Sequence, residues 1–450
     1  MNIVLLSGGS GKRLWPLSND TLSKQFLRLL KSENGEYESM VQRVVRQLKS
    51  VHKDVNLFVS CNAAHVDILQ RQLGTVETIP EPSRRDTFPA IVLAAAYLRY
   101  IKQYDENEVF VVCPIDVFAD IEYFEMLADV EKLVVAGKNK IGLLGVKPAY
   151  PSEKYGYILS EEGYVKGFVE KPSENEAKRL IAEGALWNCG VFALSIKYAL
   201  QYAKEYVDFD SSESLKEQWA DLPQNSFDYE VVEKEQSIGV AVYDGTWKDL
   251  GTWNTLTEEM AGMSMGRDVL ISESCQNTHV LNMLDIPIIV HELSDTVVVT
   301  SHDGILISSK QGSSFLKPLT EQIKLRPMYE QRRWGDYRVL EYKQTAGSSS
   351  LVKRLHIEAG QSISYQYHTD RAEVWVIVKG KGILTIDGVD SVVETGSTIK
   401  IPAGSKHSLL AATEIELVEV QLGTGELEEG DIVRVASVNG GIEDFSRGGK

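Results

Sequence analysis

The sequence has few cysteines, no long apolar run and no excess of positive charge. The four cysteines are far apart and form no Cys-x-x-Cys pair, which predicts reduced, buried thiols. No apolar run reaches the length of a membrane span, and no charged leader with a cleavage site is present, so we expect a cytoplasmic protein. The formal charge of −17 argues against nucleic acid and membrane surfaces as partners.

Two common phosphate-binding motifs are also missing from the glycine-rich stretch near residue 10. A Walker A loop requires glycine at the position of Leu6 and Ser or Thr at the position of Arg13. The dinucleotide fingerprint requires a third glycine where Leu14 stands. These departures exclude an ATPase loop of that type and an NAD site.

The residues that are present in this stretch predict an anion cradle. The apolar run at residues 3–6 is typical of a buried parallel strand, and the glycine-rich turn lets backbone N–H groups approach a ligand. Cations follow at Lys12, Arg13 and Lys24. This combination suits phosphate groups. On the loop alone, a plain strand–helix turn is the alternative.

The hydrophobic pattern changes twice along the chain, and 450 residues are too many for one ordinary core. Alternating strand and helix patterns predict an α/β domain over residues 1–260. Short Val/Ile-rich segments predict an all-β connector over residues 261–326, with a polar linker at residues 317–332. Short strands with glycine turns predict a closed or jelly-roll barrel over residues 327–450.

Six motifs follow one another over the first 325 residues. They are Gly8 to Ser18 with Lys24-Gln25-Phe26, Glu81 to Ala90, Cys113 to Asp116, Phe168 to Pro172, Trp187 to Gly190, and Asp249-x-Gly251-x-Trp253. This ordered set resembles the sugar-1-phosphate nucleotidyltransferases, and Trp15-Pro16 is similar to the mannose-1-phosphate guanylyltransferase branch. The chain departs from the family pattern at Lys12, Ser23, Asp86, Phe88 and Val117.

The resemblance implies a Rossmann-like nucleotidyltransferase domain that makes GDP-mannose and pyrophosphate from GTP and mannose 1-phosphate. The product would serve polysaccharide biosynthesis. Arg13 and Lys24 would be catalytic, and Asp116 and Asp249 would hold Mg²⁺, a hard ion that prefers oxygen ligands. The nucleotide would be bound by Leu6, Gly8, Gly9, Ser10, Gly11, Lys12, Glu81 and Arg85. The sugar phosphate would be bound by Asp116, Gly156, Glu170, Lys171 and Asn188.

Glu81 is the candidate for choosing the base. Guanine presents two donors, N1–H and N2–H₂, on its Watson–Crick edge. An ionised carboxylate only accepts hydrogen bonds, so it matches this pair of donors. The alternative is a loop acid that precedes Pro82 by chance.

A second group of candidate ligands lies near the C-terminus, within two motifs that begin at Gly360 and Gly396. They resemble the cupin motifs of type II phosphomannose isomerases, which implies a cupin β-barrel with a Zn²⁺ or other divalent metal. The implied ligands are Gln366, His368, Glu373 and His407. Thr369, Asp370 and Val374 replace three histidines of the family pattern, so metal binding and isomerase activity are separate hypotheses.

Three functions remain open on the sequence alone. The first is the guanylyltransferase reaction, with mannose 1-phosphate or another manno-configured sugar phosphate. The second adds interconversion of mannose 6-phosphate and fructose 6-phosphate at the cupin metal site. The third is a non-enzymatic regulator that binds a nucleotide sugar, which the retained cations and carboxylates argue against. The all-β connector is a candidate homodimer contact.

Overall fold

The structure is a computed structural model that describes residues 1–8, 11–19, 21–424, 427 and 431–435. The chain divides into two compact units. The first comprises Met1–Asn282, Pro287–Val299 and Leu306–Gln322, and the second comprises Met283–Ile286, Thr300–Ile305 and the chain from Ile323 on. Among the described residues, no helix is both long and apolar enough to cross a membrane.

Strands and helices alternate up to Glu259, as the hydrophobic pattern predicts, and short strands follow. The strands up to residue 309 are β1 (Asn2–Ser7), β2 (Leu30–Lys31), β3 (Tyr37–Glu38), β4 (Asn56–Asn62), β5 (Glu77–Glu81), β6 (Val109–Pro114), β7 (Val117–Ala119), β8 (Ile141–Val146), β9 (Gly156–Glu161), β10 (Tyr164–Val169), β11 (Leu186–Ser195), β12 (Ile238–Tyr243), β13 (Trp247–Asp249), β14 (Ser264–Gly266), β15 (Val269–Ile271), β16 (His279–Asn282), β17 (Ile288–Val290), β18 (Thr296–Ser301) and β19 (Gly304–Ser309).

The helices are α1 (Met40–Val51), α2 (Val66–Leu73), α3 (Thr87–Ala96), α4 (Ile121–Val135), α5 (Glu174–Ala182), α6 (Ile196–Ala203), α7 (Ser212–Glu217), α8 (Trp253–Glu259) and α9 (Lys317–Thr320). Side-chain caps explain where two of these helices begin. Ser39 forms a capping box with Gln42 at the start of α1, and Ser173 accepts from the Glu176 amide at the start of α5.

The main sheet runs in the order β5-β4-β1-β6-β11-β8-β12-β10-β9. Strand β1 is parallel to β4 and β6, and β4 is parallel to β5, whereas β11 is antiparallel to β6 and β8. Parallel strands end at one edge of a sheet, and ligands of α/β proteins bind at that edge. Gly8 directly after β1, Glu81 at the end of β5 and Asp116 after β6 therefore share one edge.

Helix α3 shows why the first unit has a large core. It is built from alanine and large apolar residues, and every residue from Phe88 to Ala96 is buried. It belongs to the same apolar cluster as Phe110 and Phe192 of the sheet. A helix that is apolar on all sides is stable only when neighbours cover all of it. Because this core is apolar, the polar side chains of the predicted site lie at the strand ends, outside it.

The segment after α8 consists of short strands, two pairs of which are parallel: β14 with β16 and β15 with β17. The boundary between the two units, at Gln322 and Ile323, falls within the predicted polar linker at residues 317–332. The linker is not free of regular structure, because it begins with α9 and ends with a strand at Tyr329–Arg332. The hydrophobic pattern does not predict that strand, because its buried residue is charged. Glu330 is 6% exposed and pairs with Arg332 at 2.6 Å.

The second unit contains β20 (Tyr329–Arg332), β21 (Gly335–Thr345), β22 (Ser348–Ile357), β23 (Gln366–His368), β24 (Arg371–Lys379), β25 (Lys381–Ile386), β26 (Val389–Glu394), β27 (Thr398–Ile401), β28 (His407–Ala411), β29 (Ile415–Gly423) and β30 (Ile432–Arg434). They form two sheets, in the orders β20-β21-β22-β29-β24-β27 and β26-β25-β28-β23-β30. Alternate side chains of β22, such as Leu351 and Leu355, are buried, as a barrel strand requires. The predicted α/β domain and C-terminal cupin-like barrel are confirmed.

Candidate functional site

A lysine and two aspartates meet at the carboxyl edge of the main sheet. The Lys24 Nζ lies 2.6 Å from Asp116 Oδ2 and 3.4 Å from Asp249 Oδ1. Burial opposes the charged form of Lys24, but the two carboxylates outweigh it and raise its pKa. Burial likewise opposes the charged form of Asp116, and Lys24 outweighs it and lowers the Asp116 pKa. Lys24 and Asp116 are therefore both ionised at neutral pH.

A short strand pairing brings Asp249 to this edge from far along the chain. Strand β13 is antiparallel to β7, with Asp249 opposite Val117, the residue after Asp116. A Cβ on Gly251 would lie 2.9 Å from Asp249 Oδ1, so glycine leaves room for that carboxylate. The Trp253 indole donates to the carbonyl of Trp15 at 3.0 Å. The Asp249-x-Gly-x-Trp motif is thus tied to the opening stretch.

The opening loop places one exposed cation beside this group. Arg13 is exposed. Its charge makes a minor contribution at both neighbours: it offsets a little of the rise in the Lys24 pKa and adds a little to the fall in the Asp116 pKa. Lys12 is half-buried. The space around Gly8 is open, because a Cβ added there would have no atom within 4 Å. Leu6 lies between Ser60 of β4 and Pro114 of β6 in the sheet. The predicted nucleotide-binding residues Gly9 and Ser10 lie outside the described residues, and Gly11 begins a 3₁₀ turn.

Glu81 is buried at the end of β5, with 6% of its surface exposed. It accepts a hydrogen bond from Ser60 Oγ at 3.1 Å. Burial raises its pKa to about 7, against the opposing effects of Ser60 and Arg84. The adjacent arginine, Arg85, is directed elsewhere: its Nη2 donates to the Leu222 carbonyl at 2.6 Å. The structure therefore brings the charge of Arg84, rather than that of Arg85, to the candidate base-reading residue.

Four of the predicted sugar-binding residues form a second cluster near the hairpin of β9 and β10, whereas the fifth, Asp116, lies with Lys24. Lys171 contacts Glu170 at 2.6 Å, and Glu170 Oε2 lies 2.5 Å from a Cβ placed on Gly156. Lys171 follows the end of β10 and has a positive φ of 46°, which is uncommon for a residue other than glycine. Asn188 donates to Asp228 Oδ1 at 2.6 Å and accepts from the Gly190 amide at 3.2 Å.

Asp228 is a residue of this cluster that the sequence did not reveal. Burial, together with the charge of Glu170, raises its pKa to about 7. It begins a π turn at Asp228–Val232, and an acid at such a position is indistinguishable in sequence from an ordinary helix cap. Only the fold shows that its partner is Asn188, 40 residues earlier.

The second unit holds a buried cluster of His368, Glu373 and His407. One ligand atom from each lies within 4.8 Å of the others. Glu373 is 3.2 Å from His368 Nε2 and 3.5 Å from His407 Nε2. Gln366 stands directly opposite His407 in the β23–β28 pair, which puts the two side chains on one face. Its Oε1 accepts from Ser364 Oγ at 2.9 Å.

Outer contacts orient this cluster as a metal site requires. The ring nitrogen Nδ1 of His407 lies 2.9 Å from the Ser405 carbonyl, which assigns a proton to Nδ1 and leaves Nε2 as an acceptor. That buried Nε2 has no hydrogen-bond partner within the described part of the chain. Trp375 donates to Glu373 at 3.1 Å and Gln421 donates at 3.3 Å. An orphaned imidazole nitrogen beside an oriented carboxylate fits a divalent cation.

Arg371 fills the space beside this cluster. It donates to Glu373 at 3.3 Å and to Asp431 Oδ1 at 2.6 Å. Burial opposes the charged form of Glu373, but His368, His407 and Arg371 outweigh it, so its pKa lies well below its usual range. The carboxylate is ionised and available as a ligand at neutral pH.

Comparison with known proteins assigns each part of the chain to a family. Residues 2–264 match the family model described as nucleotidyl transferase, and residues 322–437 match the one described as mannose-6-phosphate isomerase C-terminal. The mannose-1-phosphate guanylyltransferase of Escherichia coli (strain K12) is 32% identical, with 98% of each chain aligned. The xanthan biosynthesis protein XanB of Xanthomonas campestris pv. campestris (strain B100) is 32% identical over 97% of this chain and 98% of that protein.

A solved structure gives the same result for the fold. The crystal structure described as a mannose-1-phosphate geranyltransferase from Thermus thermophilus has a TM-score of 0.60 at 25% sequence identity. The match covers 72% of this chain and 99% of that one. The fold and the lysine–aspartate site define a sugar-phosphate nucleotidyltransferase. Within that class, the chain belongs to the mannose-1-phosphate guanylyltransferase family, with a C-terminal isomerase-like domain.

Proposed function

We propose that this enzyme transfers guanylate from GTP to mannose 1-phosphate. A phosphate oxygen of the sugar phosphate attacks the α-phosphorus, the bond from that phosphorus to the bridging oxygen breaks, and pyrophosphate leaves with the electron pair. Such reactions depend on positioning and on neutralisation of charge. The observation that carries the proposal is the convergence of Lys24, Asp116 and Asp249, with the charge of Arg13 acting on Lys24 and Asp116.

The residues divide into three roles. Lys24 and Arg13 neutralise phosphate oxygens during the attack, while the loop amides and Lys12 hold the nucleotide phosphates. Lys171 pairs with the phosphate of the sugar. The sugar hydroxyls are read by Glu170 and Asn188, and Gly156 leaves room for the ring.

Asp116 and Asp249 would hold a Mg²⁺ ion. Their carboxylates reach one point from two different elements and supply oxygen ligands only, which is the donor set that Mg²⁺ prefers. When bound, the ion supplies charge neutralisation between two phosphorylated substrates. Lys24 shares this point and offsets the repulsion between the two carboxylates.

A screen of nucleotides against sugar 1-phosphates tests the proposal. Pyrophosphate release is measured with Mg²⁺, for GTP and ATP, each with mannose 1-phosphate, glucose 1-phosphate and a manno-configured heptose phosphate. We expect the highest kcat/KM for GTP with mannose 1-phosphate. A higher value for the heptose phosphate would change the substrate assignment but leave the proposed reaction type in place. If no pair released pyrophosphate, the proposed reaction itself would be overturned.

Glu81 should make GTP binding depend on pH. Because its pKa is raised to about 7, the carboxylate that accepts from guanine is fully formed only above that pH. We expect the KM for GTP to fall as the pH rises from about 6 to 8, which follows from that value. Glu81→Gln should flatten this profile and reduce discrimination of GTP from ATP by about 10- to 100-fold. The variant Glu77→Gln, on the same strand, is the control. An unchanged profile in Glu81→Gln would remove Glu81 from base selection.

Gly156→Ala should weaken sugar phosphate binding alone. The new Cβ would meet Glu170 Oε2 at 2.5 Å and the Phe168 ring at 2.7 Å, so the carboxylate must move. We expect the KM for the sugar phosphate to rise about tenfold while the KM for GTP stays constant. In the control, Gly167→Ala, the nearest atom to the Cβ is Leu159 Cδ1 at 3.5 Å, an ordinary contact. Equal changes in both KM values would contradict a sugar-specific role.

The buried cluster of the second unit supports a second activity, interconversion of mannose 6-phosphate and fructose 6-phosphate. A divalent ion held there by His368, Glu373 and His407, with Gln366 as a fourth ligand, would polarise the sugar carbonyl. The chain's own departures near the ligands, Thr369 and Asp370, are the reason to test it directly. The full-length protein is loaded with Zn²⁺ in one assay and with Co²⁺ in another. If neither assay shows turnover, this activity is rejected.

Glu373→Gln should remove most of the metal from the second unit. The variant loses the negative charge that the two imidazoles face, and we expect at least about tenfold weaker Zn²⁺ binding. The measurement is metal content per chain after dialysis against buffered Zn²⁺. Glu414→Gln, which removes a surface carboxylate paired with Lys379, is the control. Equal Zn²⁺ content in Glu373→Gln and the unmodified protein would exclude this cluster as the site.

A cytoplasmic location and a homodimer remain predictions from the sequence. Size-exclusion chromatography with light scattering measures the second of them. A mass of about twice 50.2 kDa would support the dimer, and a mass equal to that value would reject it.

A further inference from the structure

The segment that carries Lys24 is held by a buried serine–histidine pair. Ser23 and His65 are 0% and 1% exposed, and Ser23 Oγ lies 3.1 Å from His65 Nε2. The same imidazole meets the ring of Phe26 edge to face, with centroids 5.1 Å apart. One side chain thus contacts the residue before Lys24 and the residue two after it.

Two further hydrogen bonds anchor the turn Lys24–Phe26 from other sides. Gln72 of α2 donates to the Phe26 carbonyl at 2.8 Å. Gln25 donates to Ser7 Oγ at 3.1 Å, at the end of β1. Backbone bonds inside the turn are local, so the direction of Lys24 depends on these contacts with neighbouring elements. A long side chain that must meet two carboxylates needs such a fixed origin.

His65 stands in the loop that follows β4, in the 3₁₀ turn Ala63–His65. That strand pairs with β5, with Asn62 opposite Glu81, and Ser60 of the same strand donates to Glu81. The loop that positions Lys24 is therefore a direct continuation of the strand beside the candidate base-reading residue. Base binding and the catalytic lysine share one supporting strand.

We propose that Ser23 and His65 form a positioning pair that directs Lys24 toward Asp116 and Asp249. Neither residue touches the substrates in this role; the hydrogen bond fixes the backbone at position 23, and the edge-to-face contact fixes Phe26. This inference rests on the proposed function, because it assigns the pair to the turnover that Lys24 supports. It predicts a loss in kcat rather than in substrate binding.

Four variants test the pair: Ser23→Ala, His65→Phe, the double variant, and His65→Gln. His65→Phe keeps an aromatic ring against Phe26 and removes the hydrogen bond, whereas glutamine can present a polar atom near the position of Nε2. We expect kcat to fall about 10- to 100-fold in Ser23→Ala and His65→Phe, with both KM values within about twofold. The double variant should be no worse than either single variant, and His65→Gln should recover most of kcat.

The controls separate this inference from the proposed function. An unmodified protein that releases no pyrophosphate would reject the function, whereas active protein with unchanged kcat in both single variants would reject the pair alone. Ser212→Ala, which removes another buried hydroxyl, should leave kcat unchanged. Additive losses in the double variant, or losses that follow a lower Tm, would show a general packing role and overturn the proposal.

Discussion

Lys24→Met should lower kcat by about 10³-fold while leaving a folded protein. Removing a cation that stabilises a transferring phosphoryl group costs about 10³- to 10⁵-fold in related chemistry. Methionine keeps much of the length and the apolar stem of lysine, so the buried space around position 24 stays filled. We expect the loss because Lys24 neutralises phosphate oxygens in the proposed reaction. Its ammonium group also contacts both Asp116 and Asp249. Pyrophosphate release under saturating substrates measures it.

The matched control is Lys248→Met, one residue before Asp249. This lysine pairs with Glu258 at 3.0 Å and with Glu259 at 2.6 Å. It loses the same charge close to the site, and we expect kcat to stay within about twofold, because its pairs are partly exposed. Equal losses in both variants would point to a general effect of charge, and full activity in Lys24→Met would remove Lys24 from catalysis.

Lys24→Met should also lower the free energy of unfolding, and added Mg²⁺ should reverse part of this loss. Without the ammonium, two carboxylates that are 31% and 32% exposed repel each other. Solvent screens that repulsion, so we expect a loss of only about 1 kcal/mol in the free energy of unfolding. Because Mg²⁺ would neutralise the same two groups, added Mg²⁺ should raise the Tm of the variant more than that of the unmodified protein.

Asp249→Asn should lower kcat/KM by about 10²- to 10³-fold and raise the Mg²⁺ concentration needed for half-maximal rate. An amide is a neutral and weaker ligand than a carboxylate for a hard cation. The change leaves the pairing of β13 with β7 intact, because that pairing uses the backbone. A titration of the rate with Mg²⁺ at substrate concentrations well below KM gives both quantities, kcat/KM from the plateau and the Mg²⁺ requirement from the midpoint.

Asp244→Asn is the control for this variant. Asp244 lies five residues before Asp249 and pairs with Lys147 on the surface. We expect its Mg²⁺ dependence to match that of the unmodified protein. If Asp249→Asn had the same Mg²⁺ dependence as this control, Asp249 would not be a metal ligand, whatever its effect on the rate.

The cupin cluster illustrates what a motif can predict and where it stops. The resemblance to the cupin motifs implied Gln366, His368, Glu373 and His407 as ligands, and the fold brings His368, Glu373 and His407 together. The orienting contacts from Trp375 and Gln421 carry no comparable signal. The Gln421 contact comes from the pairing of β24 with β29, in which Gln421 lies opposite Glu373, and this pairing depends on the register of whole strands. Trp375 lies two residues after Glu373 on the same strand.

The candidate base-reading site shows the same limit within one motif. Two adjacent arginines, Arg84 and Arg85, are equivalent in a sequence pattern. The fold separates them, because Arg85 reaches the Leu222 carbonyl while Arg84 acts on Glu81. A long side chain can point in many directions from one backbone position, so its partner is decided by what surrounds it.

The amino-acid sequence by itself determined the α/β character of the first part, the β-rich second part and the family. Those properties follow from hydrophobic period and from short motifs, which are local. The tertiary structure alone decided that Asp249 lies opposite Val117, that Asp228 holds Asn188, and that Ser23 meets His65. The members of these pairs are 40 or more residues apart, and only strand order and packing bring them together.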